Sequence, residues 1–368
     1  MIDALRRLDK KFLLLIICIL LLPIIILVIL ATMQESTISY DEYEIKMKEA
    51  VEEYLEEENI LLEKEGAFLK VSLEDLVEKK YIKSTDKKLN DDSCIGSVTV
   101  RRNGASVKST EGGYLNYIVD LKCDDYKTTH LIEKIKKDLV TEESGLYQVD
   151  NYYIYKGKTP NNFIIYNDTH YRIMSIDENN ILKLVKVYSE KSPRLWDDKF
   201  NVETNSYSGK NTYKDSNIIT VLSDLYQDET EFDATAKTKI VAHNACIGKR
   251  DRNDYSISKE LDCSEVIENQ MISLFNISDF ALASLDPNCN SLNSLSCGNY
   301  NYLQDSISFT WTLNSVSNNS YDVLYLSDGL MEAKNAKHRE TFNTVIYIDG
   351  NEIYKEGEGT EYNPYIIY

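Results

Sequence analysis

The chain has 368 residues, 43% of them hydrophobic, which is length enough for two hydrophobic cores after an N-terminal apolar stretch is set aside. Its formal charge of −19 argues against nucleic acid, whose phosphates are met by Lys and Arg, and against lying flat on anionic lipid. Tyr is abundant, at 27 residues beside 2 Trp and 14 Gly, which marks a strand-rich rather than a low-complexity chain.

Residues 1–11 contain Arg6, Arg7, Lys10 and Lys11 and read as a cytoplasmic tail. From Phe12 to Ala31 no charge interrupts an apolar run of the length a helix needs to cross a ~30 Å hydrocarbon core. Residues 12–32 are therefore expected to form a transmembrane anchor. The positive-inside bias leaves the N-terminus in the cytoplasm and places everything from residue 33 outside it, at the cell surface. A cleaved secretory signal is the alternative, but its core would span about 7–15 residues and end in an A-x-A-like site. Here the run ends Leu30-Ala31-Thr32-Met33. Cys18 does not make a lipoprotein, because Ile17 stands where a small residue is needed.

Residues 33–145 read as a membrane-proximal domain of helices and a hairpin. Ser39-Tyr40-Asp41-Glu42 has the form of a capping box, and Tyr43, Met47, Ala50, Val51, Tyr54 and Leu55 follow at helical spacing. Ser72-Leu73-Glu74-Asp75 repeats the capping signature before a shorter helix. Cys94 to Arg102 and Tyr114 to Cys123 are β-rich runs, with turn residues at Asn103-Gly104 and Gly112-Gly113 between them. His130 to Val140 predicts a helix, and Glu142-Glu143-Ser144-Gly145 a boundary.

Apart from Cys18, six cysteines fall in local couples, at Cys94, Cys123, Cys246, Cys263, Cys289 and Cys297. Six permit fifteen connectivities; joining neighbours gives Cys94 with Cys123, Cys246 with Cys263 and Cys289 with Cys297. None forms a C-x-x-C unit, and the four His, at 130, 170, 243 and 338, are scattered, so no metal and no cofactor are expected.

The order of the first third, an apolar helix, an amphipathic helix, Ser72-Leu73-Glu74-Asp75-Leu76-Val77 and a Cys-bounded hairpin, resembles the prepilin-like and pseudopilin-like surface proteins of low-GC Gram-positive bacteria. It departs from them in having Lys10-Lys11-Phe12-Leu13 where their processing site stands. The resemblance implies presentation from the membrane rather than assembly as a processed pilin.

Residues 146–368 open with four short strand-like runs, at Tyr152 to Tyr155, Phe163 to Tyr166, Tyr171 to Ile176 and Ile181 to Tyr188. A helix is predicted around Ile218 to Tyr226, and another after Ser278, which is read as its cap. Strands follow at Phe309 to Leu313, Val323 to Leu326, Val345 to Ile348 and Tyr365 to Tyr368. Phe309 and Trp311 share one strand face and Thr310 and Thr312 the other, so the aromatic face is expected to be core and the Thr face polar.

This order, with Asn162-Phe163-Ile164-Ile165-Tyr166-Asn167, Tyr171-Arg172-Ile173, Trp311-Thr312-Leu313 and Gly357-Glu358-Gly359 through Pro364, resembles a domain of uncharacterised function common in Firmicutes surface proteins. Such domains are similar to the C-type-lectin-like and sulfatase-modifying-factor-like fold. The resemblance marks Tyr171, Arg172, Trp311, Gly357, Gly359 and Pro364 as hallmark positions. Tyr171 replaces a usual Trp, and Asn343-Thr344 a usual Arg-Pro. The expected class is thus α+β: a transmembrane helix, a small α/β domain and an irregular β-rich, C-type-lectin-like domain.

No G-x-S-x-G, H-E-x-x-H or P-loop occurs, and disulfide-bonded cysteines are inert, so no catalytic residues and no enzyme are expected. Carboxylate pairs such as Asp197-Asp198 or Asp349 with Glu352 are expected by chance among 60 acidic residues. Asp286, Asn288, Asn290 and Asn293 offer oxygen ligands to calcium but lack EF-hand spacing, and a solvated loop is the expectation. Three functions follow in order: a surface module binding a glycan or an envelope protein, a structural part of a pilus-like or secretion assembly, and an unrecognised extracellular hydrolase.

Overall fold

The computed structural model describes residues 37–64, 66–103, 114–307 and 309–368. They divide into two units. The first comprises the described residues up to Ile60 with Val71–Val98 and Val119–Lys127, and the second comprises the rest.

In the first unit the Ser39 hydroxyl accepts the Glu42 amide at 3.2 Å and starts helix α1, Tyr40–Glu57. The spacing of Tyr43, Met47, Ala50, Val51 and Leu55 puts them on one face, and all five are buried. Strand β1, Phe68–Ser72, leads into α2, Leu73–Glu78, where Ser72 accepts from the Asp75 amide at 3.0 Å. Strands β2, Ile95–Asn103, and β3, Tyr114–Lys122, pair in the order β1-β2-β3, and each of the three strands has residues assigned to both units. Residues 104–113, where the hairpin turn is expected, lie outside the described residues. A disulfide between Cys94 and Cys123 ties the outer ends of β2 and β3, with Cα atoms 4.0 Å apart.

Among the described residues no helix is long and apolar enough to cross a membrane. The class is α+β and mostly strand, and the expected transmembrane helix is corrected accordingly. The one described helix with the length, α1, has Lys46, Lys48, Glu52 and Glu53 among its residues, and hydrocarbon would not accept them. The stretch 12–32, where the sequence places the anchor, lies outside the described residues.

In the second unit α3, Leu131–Ile135, is shorter than the predicted helix and passes into a 3₁₀ turn at Lys136–Asp138. The reason is strand pairing: the Val140 amide bonds the Leu146 carbonyl at 2.9 Å, and Leu139 bridges Leu146. Leu146 lies in β4, Gly145–Val149, which falls where the sequence suggests a boundary. It is followed by β5, Tyr152–Lys156, β6, Phe163–Tyr166, β7, Thr169–Ile176, and β8, Ile181–Lys186. Next come helix α4, Asn217–Gln227, strands β9, His243–Cys246, β10, Lys249–Arg250, and β11, Val266–Gln270, and helix α5, Ile277–Leu282. Strands β12, Phe309–Val316, β13, Asp322–Ser327, β14, Leu330–Asn335, and β15, Val345–Asp349, complete the two main sheets.

The larger sheet runs β15-β8-β7-β5-β4, with β6 also pairing β7, and its pairs are antiparallel. The second runs β10-β12-β13-β14, with β10 parallel to β12. Asn167 and Asp168 join β6 to β7 with φ of 46° and 57°, and Asp328 and Gly329 join β13 to β14 with φ of 50° and 80°. Two positive φ values in a two-residue loop match the strand twist, which accounts for the Asn and Asp at these places. Both sheets contribute to one hydrophobic core that contains Trp196 and Trp311.

Two expectations change here. Trp311 is fully buried, but Phe309 on the same face is 53% exposed, and Thr310, Thr312 and Asn314 on the face read as polar are also buried. That face is closed by its own bonds: Thr312 donates to the Leu324 carbonyl at 2.8 Å, and Asn314 accepts the Ile277 amide at 3.0 Å. Nor does Ser278 cap α5; Asn276 does, in a capping box with Asp279. Two further disulfides, Cys246 with Cys263 and Cys289 with Cys297, close short loops.

Candidate functional site

The tight turn at Asn167 and Asp168 sets the register of β6 on β7 so that Phe163 faces Arg172 across the strands. Cross-strand neighbours share a sheet face, and the Arg172 guanidinium lies over the Phe163 ring at 4.0 Å. Its other aromatic neighbour is Tyr302, at 4.6 Å. Such contacts favour a cation, the more so when it is desolvated. Arg172 Nε donates to Asn162 Oδ1 at 2.9 Å, and Asn162 is fixed in turn by donating to the Ile173 carbonyl at 2.8 Å. Arg172 Nη2 reaches the Pro160 carbonyl only at 3.5 Å, and among the described residues none accepts from Nη1. A planar cation is thus held in place with one edge unused.

Arg172 also lines a groove of about 680 Å³. Ligand-holding clefts span about 300–1,000 Å³, so the groove has room for a small molecule or a few sugar rings. Its other walls come from three places. After β8 the chain supplies Tyr188, 70% exposed, and Ser189, whose hydroxyl donates to Asn343 at 3.0 Å. The one-turn helix Gln304–Ile307 supplies Asp305. The C-terminal loop supplies Thr360, Glu361 and Tyr362, the last 95% exposed.

Two glycines shape that loop. Gly357 and Gly359 have φ of +101° and +73°, and a side chain at Gly357 would run into the Pro364 carbonyl. The Gly359 carbonyl accepts the Phe163 amide at 2.8 Å and the Phe163 carbonyl accepts the Tyr365 amide at 2.9 Å, which seats the loop on β6. Arg172, Gly357, Gly359 and Pro364 therefore converge on one feature. Tyr171 points into the core against Tyr166, and Trp311 is core as well.

Burial pulls the Arg172 pKa down to about 10, and Tyr302, Glu361 and Asp305 offset only part of that cost. No ion pair neutralises Arg172 among the described residues. Two other buried cations of this unit meet carboxylates: Arg250 meets Asp262 at 2.6 Å, and Lys183 meets Asp279 at 2.5 Å.

The carboxylate pairs are not poised for acid–base work. Asp349 accepts Arg101 at 2.5 Å, while Glu352 accepts Lys239 and Asn116, each at 2.5 Å. Asp197 takes the Lys210 amide at 2.7 Å and Asp198 the Asn217 side chain at 2.8 Å. In the Asn-rich loop the Asp286 carboxylate is occupied by Asn288 and Asn299. Among the described residues the one cluster with metal-ligand geometry is Asp91 with Cys94 and Cys123, whose sulfurs are joined to each other.

His243 Nε2 lies 2.9 Å from the Ser273 hydroxyl, the spacing of a nucleophile and its base. Ser273 is 1% exposed, however, and His243 Nδ1 lacks the acid that would orient it. The ring stacks on Tyr347 at 3.9 Å, and burial first, then Lys183, pull its pKa down to about 3. Since the unfolded histidine titrates near 6.5, the folded state binds fewer protons between these values, and stability is lost as pH falls from 6.5 toward 3. We expect His243 to contribute about 2 kcal/mol of acid destabilisation at pH 5. Urea unfolding at pH 7 and pH 5 should show a His243→Phe variant losing that much less than the parent chain; equal losses would contradict this.

The first unit has a smaller hollow of about 280 Å³ beside Tyr43 and Tyr81, lined largely by charged side chains such as Lys46, Glu49 and Glu53. Sequence reasoning missed Tyr302, Asp305 and the role of Asn162. Asn162 lies in the Asn162-Phe163-Ile164-Ile165-Tyr166-Asn167 run, but Tyr302 lies 130 positions from Arg172, and no local pattern joins them. No protein-family model matches this sequence, and neither the search of curated proteins nor that of solved structures returns a match.

Proposed function

We propose that this chain is a binding protein working outside the cytoplasm, whose second unit holds a carbohydrate in the groove beside Arg172. The observation that carries the reading is the pairing of two outward tyrosines, Tyr188 and Tyr362, with an oriented guanidinium whose edge is unused. Sugar rings present apolar C–H faces that stack on aromatic rings and hydroxyls that need fixed donors and acceptors. The groove offers both, with Asp305, Ser306 and Glu361 as polar partners. Three disulfides favour an oxidising compartment, since thiols are kept reduced in most cytosols. A glycan of the cell envelope or of a host surface suits that location.

The test is a glycan array probed with the full chain and with a Tyr188→Ala/Tyr362→Ala variant. Both rings are exposed, so the variant should keep its melting temperature. It should bind the array's best ligand about tenfold more weakly, the effect of losing two stacking contacts. Unchanged affinity, or no glycan bound by the parent chain, would refute the proposal.

A further inference from the structure

We infer that the groove selects an acidic sugar, whose carboxylate is taken by the free edge of Arg172. This rests on the carbohydrate reading above and narrows it. The geometry is that of a clamp already set: rings of Phe163 and Tyr302 lie against the guanidinium, and Asn162 Oδ1 holds Nε at 2.9 Å. Nη1 keeps both donors unused among the described residues. A carboxylate approaching in the guanidinium plane takes one N–H from Nη1 and the adjacent N–H of Nη2 in parallel charge-assisted bonds without further ordering of the side chain.

A neutral hydroxyl could accept one of these bonds but would leave a buried cation uncompensated. The depressed Arg172 pKa shows that this cost is present, and that Asp305 and Glu361 relieve only part of it. Those two carboxylates are acceptors, suited to ring hydroxyls once the ligand's own carboxylate has met Arg172. Phe163 and Tyr302 lie 4.0 and 4.6 Å from the guanidinium, and a planar carboxylate matches its planar fork better than a tetrahedral sulfate or phosphate.

The experiment uses the full chain on an array of uronate-containing and sialylated glycans, each beside its carboxyl-reduced counterpart, together with sulfated and neutral glycans. Reduction to the alcohol should weaken binding by about ten- to a hundredfold, the loss of a charge-assisted contact. This comparison leaves the protein unaltered, so folding does not enter. An Arg172→Lys variant with an unchanged melting temperature should show a similar loss, because it keeps the charge without the fork. Equal binding of acidic and reduced glycans, or a preference for sulfated over carboxylated ones, overturns the inference and leaves the carbohydrate reading standing. No glycan binding at all overturns that reading, and this one with it.

Discussion

Trp311→Ala should destabilise the second unit by about 3–5 kcal/mol, the usual cost of deleting a buried large aromatic. Trp311 is fully buried and packs edge-on against Tyr325 with ring centroids 5.5 Å apart. Its indole N–H donates to the Arg194 carbonyl at 3.0 Å, so truncation opens a cavity and also strands a buried acceptor. In a unit of this size the change corresponds to a fall in melting temperature of roughly 10–15 °C. Calorimetry on the parent and variant chains measures it. A fall of a degree or two would show that β12 is not the packed centre described here. Binding to the groove should fail in the variant only above its lowered melting point, because Trp311 does not line the groove.

The second large effect is expected at Arg250, whose side chain is fully buried. It bonds Asp262 at 2.6 Å, the Ser256 and Ser258 carbonyls at 2.8 and 2.6 Å, and the Ser278 hydroxyl at 2.9 Å. Removing one member of a buried ion pair leaves the other charge unmet, which typically costs about 3–5 kcal/mol. Arg250→Met should therefore destabilise by about that much, and Arg250→Met/Asp262→Leu by clearly less than the single change. Urea unfolding of the three variants, with Asp262→Leu alone completing the cycle, measures the coupling. Strict additivity would mean that the pair does not act as a unit. The network also explains Ser278: its hydroxyl belongs to Arg250 and Ser258, so the cap of α5 passes to Asn276.

What the sequence made legible was local. Ser39 and Ser72 cap the helices they were read to cap, because the bond spans three residues and depends on little else. The neighbouring cysteines pair as spacing suggested, since short loops bring them together. The misses come where a distant partner decides. Leu139 leaves a helical pattern because Leu146 offers a strand. The Thr face of β12 is buried because Leu324 and Ile277 supply its hydrogen bonds, which alternation alone cannot reveal. At the candidate site only a resemblance marks Arg172, Gly357, Gly359 and Pro364, and as features of a domain rather than of a binding site, whereas Tyr302, Asp305 and the clamp at Arg172 depend on the fold.

Photo-crosslinking reports where the ligand sits rather than whether a variant still binds. The best array ligand, fitted with a diazirine, is irradiated on the full chain and the adducts are mapped by mass spectrometry. Adducts are expected on peptides that contain Lys158 to Phe163, Tyr188 or Thr360 to Tyr362, suppressed by unlabelled glycan. Adducts confined to another exposed aromatic surface, such as Phe200 and Tyr207, would contradict binding in the groove.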